Sequence, residues 1–215
     1  MRTLLKILLV VSLFVQCYSQ ETTIARRRSS AAAPVITTQT IHIAANGDDA
    51  KVVPGWGNYF DAGNCTIGDE GTPEEAGFRF LGLNTPKNAT IISAYITLTS
   101  NSVSTADNVN VRIKGESNAT PATFSTYNDF AGRTRTTALV DWSTIPHWAF
   151  FTTYNTPEIK TIVQEIVNLA GWGVGQNITL FIANNSSTAS ANRAVNDYSA
   201  SAPDAAILYV QWSVP

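Results

Sequence analysis

The amino-acid sequence predicts an all-β fold, a β-sandwich of about eight to ten strands with one amphipathic helix packed on it. Short segments in which apolar and polar residues alternate recur along the chain from residue 40 onward. Proline falls between these segments rather than inside them. A single stretch, residues 156–172, has the period of an amphipathic helix, and a lone helix of about a dozen residues needs a sheet to cover.

The predicted helix, residues 156–172, is the most regular element of the sequence. Thr156 suits the N-cap, Pro157 the first helical position, and Glu158 the positive end of the helix dipole. Gly171 can end the helix in a left-handed conformation. We expect its apolar face to pack on the sheets. That face consists of Ile159, Ile162, Val163, Ile166 and Val167.

The strands are predicted from apolar–polar alternation. In the segment 90–99 we expect Ile92, Ala94, Ile96 and Leu98 to share one face. A short helical turn is expected within residues 124–133. The predicted strands are 40–45, 76–83, 90–99, 108–115, 137–142, 177–183, 193–198 and 205–214.

Residues 1–20 are typical of a secretory signal peptide. Arg2 and Lys6 form a charged region before and within an apolar run that is too short to favour a membrane span. The alternative is a retained membrane anchor. The sequence therefore predicts a secreted, extracellular protein.

Residues 21–39 are predicted to be a flexible or processed leader. The basic cluster Arg26–Arg28 is followed by small residues, which allows either a cleavage site or a solvated linker. Residues 40–215 are predicted to form one β-sandwich domain.

The charge of the chain excludes one class of partner. The formal net charge is −2, and removal of Arg2 and Lys6 with the signal peptide makes it −4, since −2 − 2 = −4 and residues 1–20 contain no acid. An acidic chain without a basic patch argues against nucleic-acid binding.

The chain has two cysteines, and Cys17 leaves with the signal peptide. Cys65 then has no intramolecular partner, so a disulfide framework is excluded. The sequence leaves two alternatives open, a buried thiol or a dimer linked by a disulfide through Cys65.

Six asparagines stand in N-x-S/T sequons without proline at the middle position, several of them in predicted turns. If the source is eukaryotic, we expect a glycoprotein. The sequons are at Asn64, Asn88, Asn118, Asn177, Asn184 and Asn185.

Residues 48–75 are predicted to be a long, glycine-rich acidic loop that contains one base, Lys51. Calcium prefers six to eight oxygen ligands from carboxylates and loop carbonyls. Asp48, Asp49 and Asp61 are therefore candidate ligands of a structural calcium ion. The alternative is an acidic loop that is simply solvated.

Glycan binding needs exposed aromatic rings beside polar groups. Trp56, Tyr59 and Phe60 stand in the glycine-rich loop, and Trp172 follows the predicted helix, so these four are the candidate ligand-binding residues. The tryptophans expected in the core are Trp142, Trp148 and Trp212.

Catalytic signals are weak. His42 and His147 are the only histidines of the chain, and no GxSxG motif is present. We therefore expect the protein not to be an enzyme.

Seven segments follow one another in a recognisable order: AGFRF, TIISAYITLTSN, VRIKGE, LVDWSTIPHW, TPEIKTIVQEIVNLAGW, ITLFI and SAPDAAILYVQW. Together they resemble the DNRLRE-type carbohydrate-binding modules of secreted and surface proteins. The resemblance covers roughly residues 40–213, and it implies a jelly-roll fold, a non-catalytic module and a structural calcium ion.

We expect a non-enzymatic, secreted structural, matrix or surface glycoprotein whose partners are glycans or extracellular matrix polymers. The alternative is a carbohydrate-binding, lectin-like module or adhesin. The absence of catalytic motifs favours the first function, and the aromatic residues of the acidic loop favour the second.

Overall fold

The computed structural model describes residues 33–62 and 65–214. The predicted signal peptide and most of the predicted leader lie outside the described residues. Residues Ile36–Val214 form one compact unit. Strands account for 46% of the described residues and helices for 13%, and the predicted all-β sandwich is confirmed.

The twelve strands of the described residues form a four-stranded sheet, a six-stranded sheet and a separate two-stranded sheet. Their orders are β1-β12-β6-β9, β3-β2-β5-β10-β7-β8 and β4-β11. The strands are β1 (Val35–His42), β2 (Asp49–Val53), β3 (Tyr59–Ala62), β4 (Cys65–Gly68), β5 (Glu75–Leu83), β6 (Thr90–Thr99), β7 (Val111–Glu116), β8 (Arg135–Trp142), β9 (Thr153–Asn155), β10 (Gln176–Asn184), β11 (Asn192–Val195) and β12 (Ile207–Val214).

Three α-helices lie between the described strands. They are α1 (Tyr127–Gly132), α2 (Lys160–Val167) and α3 (Tyr198–Ser201). Helix α1 confirms the short helical turn expected in residues 124–133, and α2 is the predicted amphipathic helix. All five aliphatic residues of the predicted apolar face are buried, as expected.

The ends of α2 differ from the prediction. Thr156 does not cap the helix, because its hydroxyl oxygen accepts the Ile96 amide of β6 instead. Glu158 takes over part of the capping, since its carboxylate accepts the amide of Lys160 at 2.9 Å. The helix ends at Val167, and Asn168 follows in a right-handed conformation, so Gly171 is not needed to end it.

Helix α2 and the residue pair before it close one side of the sandwich by bonding to one strand of each sheet. Glu158 accepts the amide of Ala94 in β6, and Glu165 accepts the amides of Thr137 and Ala138 in β8. The helix approaches β7 closely, because a Cβ atom at Gly115 would lie 2.5 Å from Ile166 Cδ1. Glu165 thereby covers the edge strand β8, which would otherwise be open to other chains.

The main core lies between the two sheets and beneath α2. The predicted alternation of β6 holds from Ala94 onward, but Ile91 rather than Ile92 is buried. The cause is a register shift, since Trp212 of β12 faces Ile91 while Gln211 faces Ser93.

The predicted acidic loop, residues 48–75, is the largest departure from expectation, since it contains β2, β3 and β4. Strand β1 also begins at Val35, inside the predicted leader. Residues Asp49–Val53 of β2 are all buried. The acidic side chains of this region therefore enter the molecule rather than remaining in solvent.

Candidate functional site

The hairpin between β2 and β3 places two aromatic rings in solvent. Its turn is a short 3-10 helix, Pro54–Trp56, which proline favours at its start. Gly57 and Asn58 follow in the left-handed region, with φ of 72° and 64°. Glycine and asparagine are the residues that adopt this conformation most readily. The turn is therefore specified by the local sequence.

Trp56 is 52% exposed and Tyr59 is 39% exposed. Their ring centroids are 6.0 Å apart with an interplanar angle of 66°, an edge-to-face pair. The Tyr59 hydroxyl donates to Asp61 Oδ2 at 2.9 Å. This hydrogen bond is the main reason that the pKa of Tyr59 is raised above its ordinary value. We refer to Trp56, Tyr59 and Asp61 as the hairpin site.

The other two aromatic candidates are not part of the exposed pair. Phe60 is partly buried and packs against a small cluster that includes Val52, Phe124 and Phe181. Its ring therefore contributes to packing.

Trp172 is a correction to the sequence analysis, because it is only 4% exposed. Its indole N–H donates to the carbonyl of Thr85 at 3.0 Å. The ring is thus buried in the protein and its nitrogen already has a hydrogen-bond partner, so neither is free to contact a ligand. Trp148 and Trp212 are buried as predicted, and Trp142 is partly buried against the core.

The three candidate calcium ligands each have a different partner. Asp48 forms an ion pair with Arg79, and Asp61 accepts from Tyr59. Asp49 is buried and accepts the amide of Tyr198 at 2.7 Å. Burial raises the pKa of Asp49 to about 7.

No cluster of three or more His, Cys, Asp or Glu side chains suited to a metal ion occurs in residues 33–62 and 65–214. The structural calcium ion remains a prediction.

Lys51 supplies a cation within the acidic segment. Its ammonium lies 2.8 Å from Glu70 Oε2, 3.6 Å from Glu74 Oε2 and 3.4 Å from Thr66 Oγ1. Burial alone would lower the pKa of Lys51, but the hydrogen bond to Glu70 and the attraction to Glu74 outweigh burial and raise it. Burial raises the pKa of Glu74 to about 8, and repulsion from Glu70 adds to the effect.

Cys65 is 1% exposed in β4, and it is a free thiol. Burial raises its pKa well above the ordinary value, and the neighbouring Asp49 adds to the shift. This position agrees with the buried-thiol alternative. An interchain disulfide would require β4 to leave the core.

The predicted glycosylation sites differ in exposure. Asn88 and Asn118 are exposed, whereas Asn177, Asn184 and Asn185 are partly buried. The side chains of Asn177 and Asn184 accept hydrogen bonds from the amides of Gly82 and Ser187, respectively. Asn64 lies outside the described residues. Glycosylation remains a prediction at all six positions.

A cleft of about 460 Å³ was missed by the sequence analysis. His147 Nε2 lies 2.8 Å from Asp107 Oδ1 at its rim, and both side chains are exposed. Thr144 also lines the cleft, but its hydroxyl donates to the carbonyl of Ser143. The hydrogen bonds of the described residues thus join His147 to a carboxylate and not to this hydroxyl. No local sequence motif could have identified this pair, because Asp107 and His147 lie 40 positions apart.

The chain matches no protein-family model and no curated protein in the comparisons with known proteins. Among the described residues, no helix has the length and apolar character needed to cross a membrane. The resemblance to DNRLRE-type modules therefore stays a prediction, and the geometry of the described residues carries the functional argument.

Proposed function

We propose that the protein is a non-enzymatic extracellular module that binds carbohydrate through the hairpin site. The exposed edge-to-face pair of Trp56 and Tyr59 beside Asp61 supports this function. An aromatic ring can stack on the C–H face of a sugar, and a carboxylate can accept hydrogen bonds from the sugar hydroxyls.

The setting of the pair strengthens the proposal. The two rings lie on a tight turn closed by Gly57 and held between two paired strands, so little ordering is needed when a ligand binds. Trp56 has no buried role that would explain its position, because more than half of its surface is in solvent.

The test is retention of the purified protein on insoluble chitin, cellulose and starch, together with a glycan array. We expect retention by at least one of these polymers, and a loss of about tenfold in affinity for Trp56→Ala and for Tyr59→Ala. Val174→Ala is the matched control, since Val174 is another exposed apolar side chain on a different loop. Failure to bind any of the polymers and any of the arrayed glycans would contradict the proposal.

A structural role in an extracellular matrix is the second candidate function. The outer edge of β1 favours it, because β1 ends the four-stranded sheet and Ile36 is 60% exposed there. An apolar edge strand can pair with another chain.

Sedimentation velocity over a range of concentrations tests this second function. We expect reversible association that Ile36→Lys abolishes, because a charge on an edge strand opposes pairing. Monomers at every concentration would exclude self-association through β1.

A further inference from the structure

The hairpin site and the His147 cleft lie at the same end of the six-stranded sheet. One row of paired residues crosses all six strands near this end, from Phe60 in β3 to Asp141 in β8. The turn 54–58 leaves β2 just beyond this row, and the loop 143–152 leaves β8 just beyond it. The members of the row are Phe60, Val52, Glu75, Ala183, Arg112 and Asp141.

Strained backbone is concentrated in the loops at this end. Seven non-glycine residues of the described chain have positive φ, and Asn88 alone among them lies outside these loops. Such conformations are costly, above all for β-branched and bulky residues, and they cluster at binding sites. The six at this end are Asn58, Asn108, Thr144, Phe151, Ser186 and Ser190.

A buried arginine holds two of these loops together. Arg193 is 0% exposed, and its guanidinium donates to the carbonyls of Ala106, Ile145 and Pro146 at 2.7–2.9 Å. It thereby joins the loop before β7 to the loop after β8. The walls of the cleft are consequently fixed before any ligand arrives, which lowers the entropic cost of binding.

The cleft offers the chemistry that a sugar ring requires. Its lining provides a carboxylate, an amide, a hydroxyl and an imidazole as hydrogen-bonding groups, and an isoleucine and a proline as an apolar surface. The lining residues are Asp107, Asn108, Thr144, Ile145, Pro146 and His147.

The two sites are separated by the width of the sheet. The row from β3 to β8 contains five strand spacings of about 4.8 Å, which gives about 24 Å. A single sugar or a disaccharide is too short to contact both sites. An oligosaccharide chain can contact both, and the second contact then benefits from the high effective concentration set by the first.

We propose that the hairpin site and the His147 cleft form one extended surface for a linear oligosaccharide chain. This inference rests on the proposed function, because the hairpin site supplies one of the two contacts. The cleft supplies the second contact and makes binding depend on chain length.

Isothermal titration with chito-, cello- and malto-oligosaccharides, from disaccharide to octasaccharide, tests this inference. For the series that binds, we expect affinity for the wild-type protein to rise at least tenfold between the shortest and the longest chain. Asp107→Asn and His147→Gln should each remove most of that rise and leave disaccharide binding unchanged. Trp56→Ala should weaken binding of every length.

Asp141→Asn is the matched control, because Asp141 is an exposed carboxylate in an ion pair with Arg112 at the end of the same strand row. A spectroscopic readout is also available, since the chain contains only two histidines. The ring signals of His147 should shift with octasaccharide and not with disaccharide, whereas those of His42, in the other sheet, provide the reference.

Two outcomes overturn the inference alone: an affinity independent of chain length, or cleft variants that bind octasaccharide as tightly as Asp141→Asn. Both leave the hairpin site intact as the proposed carbohydrate site. Unchanged binding by Trp56→Ala, or no binding in any of the three series together with no binding on the glycan array, overturns the proposed function and this inference together.

Discussion

Two buried cations stabilise the molecule in different ways. Lys51 lies among the carboxylates of Glu70 and Glu74, so its charge is neutralised by side chains that can themselves take up protons. Within the described part of the chain, Arg193 has no carboxylate among its hydrogen-bond partners, and it donates to backbone carbonyls and to the hydroxyl of Ser104.

The difference separates a pH-dependent part of the structure from a pH-independent part. An arginine remains charged at any physiological pH, and a planar guanidinium can bond several carbonyls at fixed angles. Burial lowers the pKa of Arg193 from its ordinary value, but the group starts far above neutrality. The acidic segment around Lys51, in contrast, contains carboxyl groups that titrate near neutral pH.

The largest effect is expected from Arg193→Met. The substitution leaves several buried carbonyls without donors, and we expect the free energy of unfolding to fall by about 3–5 kcal/mol. Denaturant unfolding measures it. The control is Arg112→Met, which breaks an exposed ion pair and should lower the free energy of unfolding far less, because exposed ion pairs contribute little to stability. Equal midpoints for the two variants would show that the carbonyl contacts of Arg193 contribute little.

The sequence predicted the buried face of α2 because a helical period identifies one face without knowledge of its partner. It did not predict the ends of α2, since the hydroxyl of Thr156 bonds to Ile96, 60 residues away. The strands in residues 48–75 were missed for a similar reason. Their acids break the apolar alternation, and they are accommodated by non-local bases such as Arg79, which is 31 residues from Asp48.

The hairpin site could be predicted in part, because glycines beside Trp56 favour an exposed turn. The burial of Trp172 could not, since its partner Thr85 is 87 residues away. The cleft was missed because Asp107 and His147 are brought together by Arg193, whose role depends entirely on tertiary structure. Local turns could thus be predicted from the sequence, whereas contacts between distant loops could not.

The second prediction concerns pH. Burial raises the folded-state pKa of Asp49 from 3.8 to about 7 and that of Glu74 from 4.5 to about 8. The folded protein therefore binds more protons than the unfolded chain between these values. The contribution of these two groups to stability is fully present below about pH 4 and is lost as the pH rises through 7 and 8. We expect a loss of several kcal/mol between pH 5 and pH 9, since each carboxyl group loses about 1.4 kcal/mol of its contribution for every pH unit between pH 5 and its folded-state pKa.

Denaturant unfolding at a series of pH values measures this loss. Glu74→Gln should flatten the dependence, because an amide does not ionise. Asp141→Asn is the control and should leave the slope above pH 5 unchanged, since the hydrogen bond with Arg112 lowers the pKa of Asp141. A wild-type protein that is equally stable at pH 5 and pH 9 would contradict the buried, protonated state of these carboxyl groups.

The smallest effect tests whether the Lys51 ammonium occupies the place of a metal ion. Glu70, Glu74 and Thr66 surround it with oxygens, which are the ligands that calcium prefers. Lys51→Asn removes the charge and adds another oxygen. We expect millimolar calcium to stabilise this variant by about 1 kcal/mol through binding to the folded state, and EDTA to reverse the effect.

Thermal melting at pH 9, where Glu74 is ionised, is the measurement. The double variant Lys51→Asn with Glu74→Gln should not respond, because one of the two carboxylates is lost. If calcium raises the melting temperature of the wild-type protein as much as that of Lys51→Asn, the ion binds elsewhere, and Asp48, Asp49 and Asp61 become the residues to substitute. If neither protein responds, the oxygens around Lys51 are arranged for an ammonium and are too few or too widely spaced for a metal ion.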